Sequence, residues 1–380
     1  VEKTGSELNN SVRKRKCILG AGIVLNVAVL CFFKYARLLP AFQGMEVDAP
    51  GISFFTFTQI AFLVETYRGN IVPMGMREYG LYVSFFPKLM QGPIMLPEDF
   101  QAQRGDEKAT EEHKKRTRAV FKNFALRSTQ TKDEWWEKLL RNVILISLGL
   151  FKKVILADTL GQAVATGFEN VSALNAIDAW VVMLSYTLQL YFDFSGYSSM
   201  AIGLAMLFGF HYKENFNYPY IAKSATEFWR RWHISLSTWL RDYVYINVGG
   251  NRVALWRRNL NVLFVFFCSG LWHGANVTFV CWGLLYGIFI VLENIGLNKL
   301  LKKSSILAHI YLPVLAITAW VIFRADDMSY AGAFISKMYL LSGIDWSMSI
   351  KLEHNVVFAM LLGIAFSYDW RSMYKKVCVG

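Results

Sequence analysis

Long apolar runs alternate with polar connectors along this chain, and the runs recur too often for a single soluble core. They cover 17–33, 51–64, 176–192, 196–210, 260–272, 275–292, 306–323 and 355–367. Several approach the roughly 20 apolar residues that cross a bilayer core. Others, nearer about 13 residues, suit tilted, broken or re-entrant helices. The pattern predicts an all-α, polytopic integral membrane protein, one domain over 1–380 with a polar loop at 99–141.

Two stretches break this rhythm. Pro87, Gly92, Pro93 and Pro97 interrupt 79–96. Proline removes a backbone donor, which at membrane depth is tolerated only where protein or a water-filled cavity surrounds it. Ser84 to Ile94 is therefore read as a re-entrant or broken segment lining an interior cavity, with Gln91 on its wall. Residues 139–157 carry Lys152 and Lys153 after a short apolar run and read as an interfacial helix.

Charge sets the topology. Arg13-Lys14-Arg15-Lys16 precedes the first run and places that end in the cytoplasm. The 101–141 segment holds eleven basic and seven acidic residues and is expected on the same side. If 17–33, 51–66 and 79–96 all crossed, that segment would lie outside, so 79–96 is the one read as not spanning.

Composition changes little in this picture. Of 380 residues, 54% are hydrophobic and 16% aromatic, and the formal net charge is +12. Mean hydropathy is +0.30. In such a chain the basic excess marks cytoplasmic loops rather than nucleic-acid binding, and it is compatible with an anionic cytosolic substrate. The five cysteines lack CxxC spacing and read as core or lipid-facing residues. The first sixteen residues are polar, with no secretory signal, and the chain begins at Val1, which leaves the natural N-terminus open.

Two histidines stand out against the apolar background. At 100° per residue, 228–244 forms a helix with Trp229, Trp232, His233, Leu236, Trp239, Leu240 and Tyr243 on one arc. Arg230, Arg231 and Arg241 lie on the other, as in a helix at the membrane–water boundary. His233 faces inward, either as a structural histidine or as a working one. From Arg258 to Glu293 one helix would be about 52 Å long, against a hydrocarbon core of about 30 Å. It must bend or break, and Gly270 and Gly274, flanking Trp272-His273, are the only glycines in its middle. His273 then lies about 22 Å beyond Arg258. An ionisable group at that depth is costly and marks either function or a satisfied structural role.

Neutral imidazole near pH 7 suits a general base acting on a hydroxyl. Metal-ligand spacing, a GxSxG elbow, a P-loop and a dinucleotide fingerprint are not found in the sequence. Asp193, between two apolar runs, either caps a helix starting near Gly196 or faces a polar cavity. Asn215, Asn217, Tyr218 and Pro219 form a polar turn near the same cavity mouth. His113 and His354 read as solvated, and His309 as a packed core histidine.

At these residues the chain resembles the membrane-bound O-acyltransferase superfamily, in its bacterial alginate O-acetyltransferase-like branch. The matching stretches include Glu65-Thr-Tyr-Arg-Gly69, Gln91-Gly-Pro93, Tyr191-Phe-Asp-Phe-Ser-Gly-Tyr197, Glu214-Asn-Phe216, Glu227 through Tyr245, Gly249-Gly-Asn-Arg252 and Gly270-Leu-Trp-His-Gly-Ala275. They run in the family's order over roughly 51–325. The resemblance implies a multi-helix fold with re-entrant and interfacial helices around a central tunnel. It implies His273 as the catalytic histidine and His233 as its partner, with Asp193, Trp272, Asn276 and Gln91 as tunnel-lining candidates. Acetyl-CoA would be the donor substrate, with no permanently bound cofactor or metal, and Arg230, Arg231 and Arg241 could meet its phosphates. The acceptor would be a hydroxyl of a secreted polysaccharide, or of an extracytoplasmic partner protein, reached from a multi-pass position in the bacterial inner membrane. Family members also carry apolar segments before the one at 17–33 that this sequence does not contain. Two alternatives remain: a D-alanyl transferase for teichoic acids, and a proton-coupled transporter.

The topology has a direct test. In a cysteine-free background, Ser128→Cys should react with an impermeant maleimide only after the cells are permeabilised. Strong labelling of intact cells would place 101–141 outside and remove the reason for reading 79–96 as non-spanning.

Overall fold

A computed structural model describes residues 5–42, 49–104, 131–339 and 352–368. Among the described residues the regular elements are helical, with no strand. Three helical stretches among the described residues are long and apolar enough to cross a membrane: Val12–Leu38, Val277–Lys303 and Ser305–Arg324. Contacts divide the chain into two compact units, one of residues 1–146 with 200–213, the other of 147–199 with 214–380.

In the first unit α1 (Gly5–Tyr35) and α2 (Ile52–Arg68) pack antiparallel. Gly22 lies against Leu63, and Arg15 donates to the Tyr67 carbonyl. The expected break in 79–96 is present. Helix α3 (Met76–Ser84) ends in a 3-10 turn at Phe86–Lys88, and α4 (Pro97–Arg104) starts on its proline. Tyr82, Phe85 and Met95 from this segment share a core with Phe100, Ile202, Met206 and Tyr212. Lys88 is buried, its Nζ donating to the Tyr82 carbonyl and lying 4.2 Å from the Tyr82 ring centroid. Gln91 is exposed. Of the polar 101–141 segment, 105–130 and His113 lie outside the described residues.

Helix α5 (Lys132–Leu150) runs through a π-helical stretch, Phe151–Ala157, into α6 (Asp158–Glu169). This is longer than the 139–157 segment read from the sequence. Lys152 and Lys153 turn toward α7 (Ala176–Leu207): Lys152 donates to Ser199 Oγ at 3.2 Å, and Lys153 lies 2.7 Å from Asp193. That ion pair corrects the reading of Asp193. It caps no helix near Gly196, because α7 continues unbroken through it, its charge balanced from the neighbouring helix.

The remaining helices of the second unit are α8 (Ala225–Arg231), α9 (Ile234–Leu240), α10 (Leu255–His273), α11 (Val277–Leu292), α12 (Asn298–Lys303), α13 (Ser305–Arg324), α14 (Met328–Met338) and α15 (His354–Phe366). Their core is aromatic. Phe228 stacks on Trp232 and Tyr286 at 5.5 and 5.9 Å, and Trp282 stacks on Trp320 at 5.9 Å. His309, read as a core histidine, is exposed on α13 and bonded to the Ser305 carbonyl at 2.6 Å. Its ring satisfies itself on its own helix, so burial is not needed.

The break expected between Arg258 and Glu293 falls at Gly274–Asn276 and folds α10 and α11 into a tight hairpin. A Cβ on Gly270 would come 2.5 Å from the Phe279 carbonyl oxygen, and one on Gly283 would meet the Phe266 carbonyl oxygen. Both neighbours are backbone and cannot step aside. Gly270→Ala and Gly283→Ala should therefore each lower the thermal midpoint in detergent, at a cost of about 1–3 kcal/mol. An unchanged midpoint in both would mean the hairpin is looser than described.

Candidate active site

The sequence pattern of 228–244 predicts one amphipathic helix, but the chain breaks it in two. Helix α8 ends at Arg231, His233 adopts the left-handed conformation at φ 43°, ψ 54°, and α9 begins at Ile234. A non-glycine residue there costs about 1–2 kcal/mol, so the surroundings must hold it. Asn217 N donates to the Arg231 carbonyl and Ile234 N to the Asn215 carbonyl, each at 2.9 Å. Asn215 Oδ1 accepts from Ser235 N at 3.0 Å and Ser235 Oγ at 2.9 Å. The polar turn at 215–217 is thus the brace of the break.

The start of α8 is fixed from elsewhere. Ser224 Oγ accepts from Glu227 N at 3.0 Å. Buried Glu293, just after α11, accepts from Ala225 N at 2.6 Å, Thr226 N at 3.0 Å, Thr226 Oγ1 at 2.6 Å and Tyr311 Oη at 2.9 Å. A carboxylate on the first-turn amides satisfies donors that the helix itself leaves open. Sequence reasoning missed Glu293, which lies 67 residues from Thr226.

His233 is 3% exposed and faces the interior, as its arc predicted. Its ring meets Phe194 edge-on at 4.7 Å, and its Nδ1 lies 3.3 Å from Asn215 Oδ1. The residue is outside the three helices long and apolar enough to span. Burial pushes its pKa down to about 3, so the ring is neutral at physiological pH.

His273 ends α10. It sits among aromatic rings: Trp282 and Phe323 edge-on at 4.9 and 5.0 Å, Phe279 at 6.0 Å and Trp272 at 4.6 Å. Trp272 also lies 6.3 Å from the His233 ring. One indole therefore bridges the two histidines, which are 40 positions apart in the sequence. Trp282 carries no signal in the sequence beyond membership of an apolar run, whereas Phe323 lies in Trp320-Val-Ile-Phe-Arg324, a further stretch that resembles the family.

The other candidates separate into groups. Asn276 Oδ1 accepts from Thr278 N at 3.1 Å, capping α11, while its Nδ2 donates to the Asp326 carbonyl. It fixes the turn beside His273. Asp193 is held by Lys153. Arg231 donates to Glu227 at 2.9 Å and to the Asn217 carbonyl at 3.1 Å, so it belongs to the brace. Arg241 forms a two-point pair with Asp242 at 2.7 and 3.0 Å. Arg230 is exposed. Gln91 belongs to the first unit and the two histidines to the second.

Comparison with known proteins identifies several relatives. The probable alginate O-acetylase AlgI of Azotobacter vinelandii is 37% identical over 347 residues, covering 87% of this chain and 64% of that protein. The peptidoglycan O-acetyltransferase of Helicobacter pylori is 36% identical over 362 residues, covering 85% and 64%. The teichoic acid D-alanyltransferase of Bacillus subtilis is 27% identical over 256 residues, covering 64% and 58%. The chain thus spans less than two thirds of the length of these relatives. The pattern of the membrane-bound O-acyltransferase family matches residues 18–321, which take in both histidines, Asn215 and Glu293. The chain belongs to the membrane-bound O-acyltransferase family.

Proposed function

We propose that this chain carries the acyl-transfer site of a membrane O-acetyltransferase. The donor in this reading is acetyl-CoA from the cytoplasm. The acceptor is a hydroxyl of a secreted polysaccharide, or of an extracytoplasmic partner that passes the group on. The observation that carries the proposal is the pair of helix breaks that places His233 and His273 on either side of Trp272. The higher identity to alginate and peptidoglycan O-acetyl enzymes than to a D-alanyltransferase favours acetyl as the group moved.

In this reading the acceptor oxygen attacks the thioester carbonyl carbon while His273 takes the hydroxyl proton. The tetrahedral intermediate collapses, the carbon–sulfur bond breaks, and the coenzyme thiolate leaves and is protonated from the imidazolium. The products are an acetate ester and free coenzyme A. The close aromatic wall of Trp282, Phe323 and Phe279 excludes water from the reacting carbonyl, which disfavours hydrolysis. His233 serves as the partner that positions the acceptor or supports the developing oxyanion. Arg230 is the exposed cation on α8 available to a coenzyme phosphate, since Arg231 and Arg241 are engaged with carboxylates.

Transfer of labelled acetyl from acetyl-CoA to an acceptor hydroxyl, in purified folded protein, tests the assignment. His273→Ala should lose at least ~10²-fold in transfer, as expected for removal of a general base. His233→Ala should lower transfer far more than coenzyme A affinity. Activity of His273→Ala within about threefold of the parent, roughly 0.7 kcal/mol of barrier, would remove it from the chemistry. Parallel loss of stability, binding and transfer in His233→Ala would leave that residue as packing.

A further inference from the structure

The contact between Asn215 and His233 fixes more than proximity. The Ser235 backbone N–H can only donate, and it reaches the Asn215 side chain at 3.0 Å. The atom facing it must therefore be the amide oxygen, not the amide nitrogen. The Ser235 hydroxyl donates to the same Oδ1 at 2.9 Å, while Nδ2 at the other end donates to Ser198 Oγ at 3.4 Å. Flipping the amide would set its NH2 against the Ser235 N–H, and Asn215 is only 1% exposed, so bulk solvent does not reach it to relieve the conflict.

The consequence passes to the imidazole. An amide oxygen accepts and never donates, so His233 Nδ1, 3.3 Å from it, must carry the proton of the neutral ring. Nε2 is then the lone-pair nitrogen. It is buried and has no hydrogen-bond partner among the described residues.

We infer that Asn215 is a positioning residue that locks His233 in the Nδ1–H tautomer, making Nε2 an acceptor for a substrate hydroxyl rather than a donor to an oxyanion. The inference rests on the acyl-transfer reading for its substrate and deepens it by dividing the work. His233 receives and orients the acceptor O–H, and the oxyanion is stabilised by other groups. The same carboxamide meets the His233 ring and the Ser235 N–H just past the break, so the tautomer is tied to the side chain that also helps to brace the break.

Nitrogen-15 spectra of histidine-labelled full-length protein in nanodiscs test the lock directly, with the His233 signals assigned by their loss in His233→Gln. At neutral pH the parent protein should show a protonated Nδ1 and an unprotonated Nε2 at this residue. A protonated Nε2 would overturn the inference whatever the activity. Kinetics provide the second arm. Asn215→Ala should lower kcat at least ~10-fold, the scale on which losing an outer hydrogen-bond partner of a functional histidine is felt, with KM for acetyl-CoA little changed. Asn215→Asp keeps the acceptor oxygen and should recover most of that loss. An unchanged kcat in Asn215→Ala, or equal losses in both variants with normal thermal stability, would overturn the inference. If Asn215→Ala does not fold, the parent spectrum still decides. If the parent protein shows the Nδ1–H tautomer but moves no acetyl, the acyl-transfer reading fails while the tautomer assignment stands.

Discussion

A helix that stops inside an apolar environment leaves backbone donors and acceptors that water cannot reach, and each must find a partner. That constraint shapes both histidine positions in this protein. At His233 the partners come from the 215–217 turn, with Asn215 bonding through its backbone carbonyl and its carboxamide. At His273 the chain resumes only because Asn276 caps α11 and ties the turn to Asp326. Each break frees one imidazole from the regular face of a helix and presents it to the aromatic interior. Without the partners, the breaks would revert to continuous helix or expose unsatisfied amides.

Between the breaks the packing is almost wholly aromatic. Phe228, Trp232, Tyr286, Trp282 and Trp320 form a connected set of rings that ends on His273 and Phe323. Large flat side chains bury much area with few rotatable bonds, so they hold geometry well once the backbones are close. The backbones are close because Gly270 and Gly283 let the α10–α11 hairpin meet without intervening side chains. Glu293 anchors the other end, tying the start of α8 to α13 through Tyr311. The histidines thus sit on a rigid frame rather than on loops, which suits chemistry that needs fixed distances.

Much of the helical plan was legible in the sequence, because apolar run length and proline or glycine interruption are local signals. The break near Gly270–Gly274 followed from length alone, since about 52 Å of helix cannot lie straight in a layer of about 30 Å. The interruption of 79–96 followed from its prolines. The break at His233 did not, because its residues keep a clear amphipathic period, and nothing between Phe228 and Tyr243 is glycine or proline. Conversely, Asp193 read as a boundary and proved to lie inside a continuous helix, its charge met by Lys153.

The sequence by itself determined the class of protein, the two histidines worth weighing and the family motif that ranks them, because each is written in composition or in contiguous residues. Tertiary structure alone decided that the chain breaks at His233, which ring lies between the histidines and which side chain sets the proton on His233. The reason is distance along the chain. Asn215 is 18 residues from His233, and Glu293 is 67 from Thr226. A hydrogen bond between such partners leaves no period, spacing or local propensity by which either could have been read in advance.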